Sequence, residues 1–349
     1  MAKLFRHSIC GHKNIYTDNN NNRELVIEYG EPDIGANNDT GILITVPGYG
    51  GDINSNVYRK MRKTLPDKYN MIVMQCDYFG NKYMHSDLPQ ELEKLLQCEN
   101  LKQCQLVWKS KPEDMGESVE EFNDMGIMQA LDIVNATLEI ITLYLRNGYE
   151  INLNKIVLLG HSHGGYISHL ANIICPGLFS FIIDISSYLL PYYLKNDRYI
   201  VDIVDGNKKI EWFIEPFLKM NCNYLYCNNL YNLKYLYKFH SNRCKIIAIQ
   251  GTEDWMVPVL GKKEFISGIE NAEIVIITPE MVDGKLFKHA DHGLGTDYFE
   301  LINVFFPMIE AGLERKTEID IEAIVNINNE LIISYDGGVP ELKYIERCS

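Results

Sequence analysis

The chain has 349 residues, 46% of them hydrophobic, enough for one large α/β domain with insertions or for two small domains. A formal net charge of −14 and a pI near 5.1, with no basic face evident, argue against a phosphate-backbone partner such as a nucleic acid. The opening MAKLFRHSICGHKN lacks an apolar core long enough for a signal peptide, and no stretch approaches the ~20 apolar residues of a membrane helix. The nine cysteines are scattered; the close pairs Cys98/Cys104 and Cys222/Cys227 have neither C-x-x-C spacing nor a paired histidine set. The expectation is a cytoplasmic protein with free thiols, no membrane span, no metal and no organic cofactor.

Residues 1–40 read as lead-in strands, with Leu25 to Tyr29 strand-like after a polar turn at Asn19 to Asn22. Gly41 to Val46 is an apolar strand ending in Pro47-Gly48-Tyr49-Gly50-Gly51. So glycine-rich a loop lets backbone N–H groups face open space, which suits an oxyanion hole. The plainer alternative is an ordinary βα loop before a helix at Ser55 to Lys63. Tyr69 to Cys76 is another buried strand. Residues 81–122 form a polar, charged insertion, with a short helix at Leu88 to Leu96 and a loop or solvated helix at Lys109 to Glu121. Asp124 to Arg146 carries Ile127, Leu131, Val134, Leu138, Ile141 and Leu145 at helical spacing, the pattern of a long helix packed on a sheet. Asn123 is placed to cap it and Gly148 to stop it.

Lys155 to Gly165, KIVLLGHSHGG, organises the rest. Its continuous apolar run reads as a strand buried on both faces of a parallel sheet. Gly160-His161-Ser162-His163-Gly164 follows and matches G-x-S-x-G, and Tyr166 to Ile174 reads as a buried helix. A bare G-x-S-x-G is weak, but strand, glycine-flanked serine and helix together form the nucleophile-elbow context. The turn is tight enough that side chains at Gly160 and Gly164 would collide with neighbouring backbone.

Phe179 to Ile185 is the next strand. Residues 186–241 are aromatic-rich, with Tyr188, Tyr193, Trp212, Tyr231 and Tyr237 among them, and read as a helical cap over the C-terminal ends of the strands, where open α/β sheets bind ligands. A peripheral helical pair with its own aromatic core is the alternative. Cys244 to Gln250 is a core strand running into Gly251-Thr252-Glu253-Asp254-Trp255-Met256-Val257-Pro258. Ile274 to Thr278 is the last buried strand, followed by a loop holding His289-Ala290-Asp291-His292-Gly293 and by a closing helix at Tyr298 to Ala311. Residues 313–349 alternate around Ile319 to Ile324 and Leu331 to Tyr335, giving a β-hairpin with Asp336-Gly337-Gly338 as its outer turn. It could extend an edge, pack on the N-terminal strands or make a homodimer contact. The layout is a core in two parts, 1–185 (insertion 81–122) and 242–312, interrupted by the cap 186–241 and extended by 313–349.

Three loops, each after a core strand, thus supply Ser162, Asp254 and His292: a hydroxyl nucleophile, a carboxylate and an imidazole, as acyl transfer requires. This order, with GHSHGG, PGYGG, GTEDWMVP and DHG, resembles the α/β-hydrolase superfamily of esterases, lipases and serine peptidases over about residues 40–312. The resemblance implies an α/β-hydrolase fold, a mostly parallel central sheet flanked by helices. It maps the triad acid to Asp254, the base to His292, and the oxyanion donors to the N–H groups of His163 and Tyr49, with Gly50 as second choice. Pro47 departs from the family's common H-G-G pattern, which weakens that last assignment. His289 rivals His292, Glu253 rivals Asp254, and a minority arrangement would place the acid near Asp184. His161 and His163 should be wall or structural residues; Asp77 and Asp291 should cap loops or be solvated. The reaction implied is hydrolysis of a carboxylester or thioester of a small acyl substrate; an acyltransferase, a peptidase or a non-catalytic binding protein on this fold are the alternatives.

Overall fold

The computed structural model describes residues 1–17, 23–85, 94, 104–204, 208–221, 229–311, 331–336 and 339–344. Its strands are β1 (Lys3–Cys10), β2 (Glu24–Glu31), β3 (Gly41–Val46), β4 (Met71–Cys76), β5 (Cys104–Ser110), β6 (Ile156–His161), β7 (Phe181–Ile185), β8 (Arg198–Val204), β9 (Lys208–Ile214), β10 (Lys245–Gly251), β11 (Ala272–Ile277), β12 (Leu331–Asp336) and β13 (Val339–Tyr344). Its α-helices are α1 (Asn56–Tyr69), α2 (Ile127–Arg146), α3 (His163–Ile174), α4 (Phe217–Asn221), α5 (Leu233–Leu236), α6 (Val259–Ser267) and α7 (Tyr298–Ala311).

The central sheet runs β1-β2-β4-β3-β6-β7-β10-β11. From β4 to β11 every pair is parallel, and β1 and β2 join antiparallel at one edge. Side chains alternate between the faces with the strand period. Ile156 and Leu158 of β6 join a core with α2, α3 and α6, while Val157 and Leu159 join another with α1 and α7. Both faces are covered, which explains why these strands read as unbroken apolar runs. The chain leaves β3 to one side for β4 and returns to its other side for β6, so the loops after β3 and β6 flank the point where the winding reverses.

Helix α2 starts later than its periodicity predicts. Met125 lies at φ +55, and the Asp124 carboxylate accepts the N–H groups of Gly126 (3.2 Å) and Met128 (2.6 Å). The N-cap position is Gly126, not Asn123, and the Asp124 carboxylate reaches into the first turn from outside the helix; Asn123 accepts from Met125 N–H and from the Gln129 amide. Contrary to the expectation that no stretch approaches membrane-helix length, α2 is long and apolar enough to cross a bilayer, but 78% of its most apolar window is buried in the fold.

The insertions depart from expectation. Residues 186–241 are not purely helical: they carry β8 and β9, antiparallel to each other, and β5 from the first insertion pairs parallel with β9. The two insertions close on one small sheet, sealed by Trp212, Ile210 and Ile214, with the Trp212 indole N–H donating to Ser110 Oγ at 2.9 Å. Ile210, Trp212 and Ile214 recur every second residue, a strand period hidden by the segment's overall aromatic richness. Lys109 and Ser110 accordingly end a strand, not a loop or helix. The helix predicted at Leu88 to Leu96 falls outside the described residues save Lys94, as do Cys98, Cys222, Cys227 and the strand at Ile319 to Ile324. β12 and β13 pair antiparallel, Asp336 opposite Val339, and Gly337 and Gly338 of the expected outer turn lie outside the described residues.

Candidate active site

Ser162 sits between β6 and α3 at φ 51°, ψ −113°, a left-handed backbone that a β-carbon makes costly. Its N–H is tied to Ile185 O on β7 at 2.7 Å. A β-carbon on Gly160 would come within 2.5 Å of Gly164 O and Gly165 Cα, and one on Gly164 would fall on the carbonyl oxygen of Val46 at the end of β3. The glycine requirement at both positions is therefore steric.

Ser162 Oγ lies 2.8 Å from His292 Nε2, and His292 Nδ1 lies 2.9 Å from Asp254 Oδ2. Burial pushes the Asp254 carboxyl toward its neutral form, but hydrogen bonding and proximity to His292, with the Val257 N–H and the Gln250 amide, hold it below the usual carboxylate range. Met256 and Val257 donate N–H to its Oδ1, and Gln250 Nε2 donates to Oδ2 at 2.8 Å. The carboxylate is thereby locked in the tight Asp254–Val257 turn. The loop of His292 is held from below: Gly293 N–H donates to Ser186 Oγ at 3.1 Å.

The rival residues lie elsewhere. His289 pairs with Asp291, both partly exposed, and the Glu253 side chain is exposed. Asp77 accepts the Ile53 N–H, as a loop cap does. The His163 ring is fully buried between Gln129 Oε1 (2.7 Å) and the Tyr188 hydroxyl, and burial lowers its pKa to about 3. Burial also lowers His161, to about 4, with the neighbouring His292 acting in the same direction. Neither ring hydrogen-bonds Ser162 Oγ or Asp254 among the described residues. Residues 186–241 pack tyrosines on α3: Tyr188 meets His163, Tyr237 meets His169 Nδ1 at 2.9 Å, and Tyr166 donates to Tyr231 O at 2.8 Å.

Asp184 takes no part with His292. It lies fully buried with Lys262 Nζ at 2.5 Å and His169 Nε2 at 3.0 Å, and it accepts the N–H and Oγ–H of Ser187. Burial opposes its charge, but Lys262 and His169 hold its pKa well below the ordinary range. Lys262 was not anticipated. The available signal was its place on α6: three and four residues before Phe265 and Ile266, it shares their buried face.

The parallel sheet, the strained serine turn and the serine–histidine–aspartate chain at the strand C-termini are the architecture of the α/β-hydrolase fold. The chain is similar in structure to the uncomplexed acylaminoacyl peptidase of Pyrococcus horikoshii (16% identity, TM-score 0.52, covering 93% of this chain and 44% of that one). It is also similar to a putative dipeptidyl aminopeptidase IV of Bacteroides ovatus (14% identity, TM-score 0.50, 90% of this chain and 36% of that one). A third likeness is to Est1E of Butyrivibrio proteoclasticus (13% identity, TM-score 0.46, 82% and 93%). The chain spans less than half the length of either peptidase, and at these identities the likeness is one of fold. No curated protein matches the sequence. By sequence the chain belongs to the DUF2920 family, described as "Protein of unknown function", whose profile matches residues 90–335.

Proposed function

We propose that the protein is a serine hydrolase that cleaves a carboxylester or thioester through an acyl-enzyme on Ser162. The observation that carries this reading is the unbroken hydrogen-bonded chain from Ser162 Oγ through His292 to Asp254. In this mechanism Ser162 Oγ attacks the carbonyl carbon while His292 Nε2 takes its proton. Asp254, ionised at neutral pH, fixes the Nδ1–H tautomer and stabilises the imidazolium. The negative oxygen of the tetrahedral intermediate is held by the N–H groups of His163 and Tyr49. Neither N–H makes a hydrogen bond among the described residues, and the first belongs to the opening turn of α3, where no intrahelical acceptor exists. His292 returns the proton to the leaving group, and water, activated by the same imidazole, releases the acid. Cys10, Cys76 and Cys175 are free thiols among the described residues, which suits a reducing cytoplasmic setting.

A fluorophosphonate probe tests this directly. Labelling is expected on Ser162, absent in Ser162→Ala, and accompanied by hydrolysis of 4-nitrophenyl esters or acyl thioesters of graded length. Folded protein that resists the probe would remove the hydrolase reading. Labelling without turnover on any ester would shift it to an acyl acceptor other than water, or to amide substrates.

A further inference from the structure

Resting on that reading, we infer that Arg198, carried by the cap, is a specificity-determining residue that binds a free carboxylate on the substrate. Arg198 opens β8, and its guanidinium carbon lies 4.9 Å from the centroid of the Tyr49 ring. Tyr49 belongs to the loop after β3, and its ring meets the ring of His163, the residue after Ser162, edge-on at 6.0 Å. The Tyr193 ring flanks Tyr49 at 5.3 Å. The cation therefore stands on the aromatic wall beside the proposed oxyanion loop, on the cap side of the site.

Its pairing singles it out. Three arginines among the described residues are not exposed: Arg23, Arg62 and Arg198. Arg23 grips Asp132 at 2.6 and 2.7 Å, and Arg62 binds Glu28 at 2.7 Å. Arg198 pairs with no carboxylate among the described residues, although acidic side chains outnumber basic ones 47 to 33 in the chain. Of the five N–H donors of its guanidinium, one reaches an acceptor among the described residues, the carbonyl of His85, at 3.3 Å. A half-buried cation with no counter-ion among the described residues carries a desolvation cost that a bound anion would offset. A planar guanidinium lying over an aromatic ring keeps its edge free for the bidentate grip that fits a carboxylate. One cation also matches the single charge of a carboxylate better than the nearly double charge of a phosphate monoester. The substrate class is therefore an ester or thioester that also bears a free carboxylate.

The test measures protection of Ser162 from the fluorophosphonate. Two pairs serve as competitors: monomethyl glutarate with its neutral amide analogue, and 4-acetoxybenzoate with 4-acetoxybenzamide. In the wild type at least one carboxylate should protect at a concentration about tenfold or more below its amide, a preference that weakens with added salt. In Arg198→Gln the ratio should fall to about one; Arg198→Lys, which keeps the charge but not the planar fork, should retain part of it. A wild-type ratio near one for both pairs, or a preference that survives in Arg198→Gln, overturns the assignment. Absence of labelling would instead strike the hydrolase reading. Ligand-observed NMR of 4-acetoxybenzoate on wild type and Arg198→Gln then decides the carboxylate site alone, equal binding overturning it and loss of binding in the variant sustaining it.

Discussion

The imidazole of His161 occupies the space that a side chain at Gly293 would need, and its Nδ1 lies 2.7 Å from where a β-carbon on Gly48 would be. One ring thus separates the loop of Tyr49 from the loop of His292, and its depressed pKa of about 4 keeps it neutral there. Gly293 also lies at φ +77, where any other residue is strained. Gly293→Ala should therefore move His292 off Ser162 Oγ. The expected result is a loss of about 10- to 100-fold in the rate of fluorophosphonate labelling, with a stability cost of only ~1–2 kcal/mol. Wild-type labelling in Gly293→Ala would mean that this contact does not set the position of His292.

The assignment of base and acid is separable from its rivals. His292→Ala should lower turnover by about 10³-fold or more, and Asp254→Asn by about 10³- to 10⁴-fold, because the amide favours the wrong imidazole tautomer. His289→Ala, which alters only a partly exposed pair with Asp291, should leave turnover as it was. Equal losses in the two histidine variants would undo the assignment.

Most of the sheet and the meeting of Ser162, His292 and Asp254 were legible because their signals are local. Gly41–Val46 and the run before Ser162 are apolar strands whose loops carry the candidate site residues within a few positions. What escaped depends on distant pairing. β5 and β9 lie about a hundred residues apart, and nothing near Leu106 or Trp108 announces Trp212 as a neighbour. The ion pair of Lys262 with Asp184 joins a helix to a strand 78 positions away. Arg198 is informative because no carboxylate among the described residues stands beside it, a property of three-dimensional packing. The start of α2 was misplaced because Asn123 and Asp124 are both competent capping types, while the backbone turn at Met125 delays the helix so that its N-cap position falls on Gly126.

Lys262 and Asp184 are both fully buried, and Lys262 also donates to Ser187 O at 2.8 Å. Removing one partner leaves the other charge uncompensated. Lys262→Met should therefore cost about 3–5 kcal/mol of unfolding free energy, and pairing it with Asp184→Asn should recover part of that loss. Urea denaturation of the single and double variants checks this. Additive losses would show that the two charges are not coupled.

The pH dependence of stability separates two opposite effects. His161 and His163 are held at about 4 and about 3, below the ordinary histidine value of 6.5. The unfolded chain protonates them first, so their contribution is complete above pH ~6.5 and is lost as the pH falls toward those values. Asp124 runs the other way: burial raises its carboxyl to about 6 from 3.8. The folded state holds that proton more tightly, and the associated stability, full below pH ~3.8, is lost as the pH rises through 6. Between pH 4 and 6 the unfolding free energy of His161→Gln should depend less steeply on pH than that of the wild type. That of Asp124→Asn should rise more steeply with pH, each by up to about 1.4 kcal/mol per pH unit. Urea titrations across that window measure both slopes, and a change of the same sign in the two variants would contradict the burial of one or the other group.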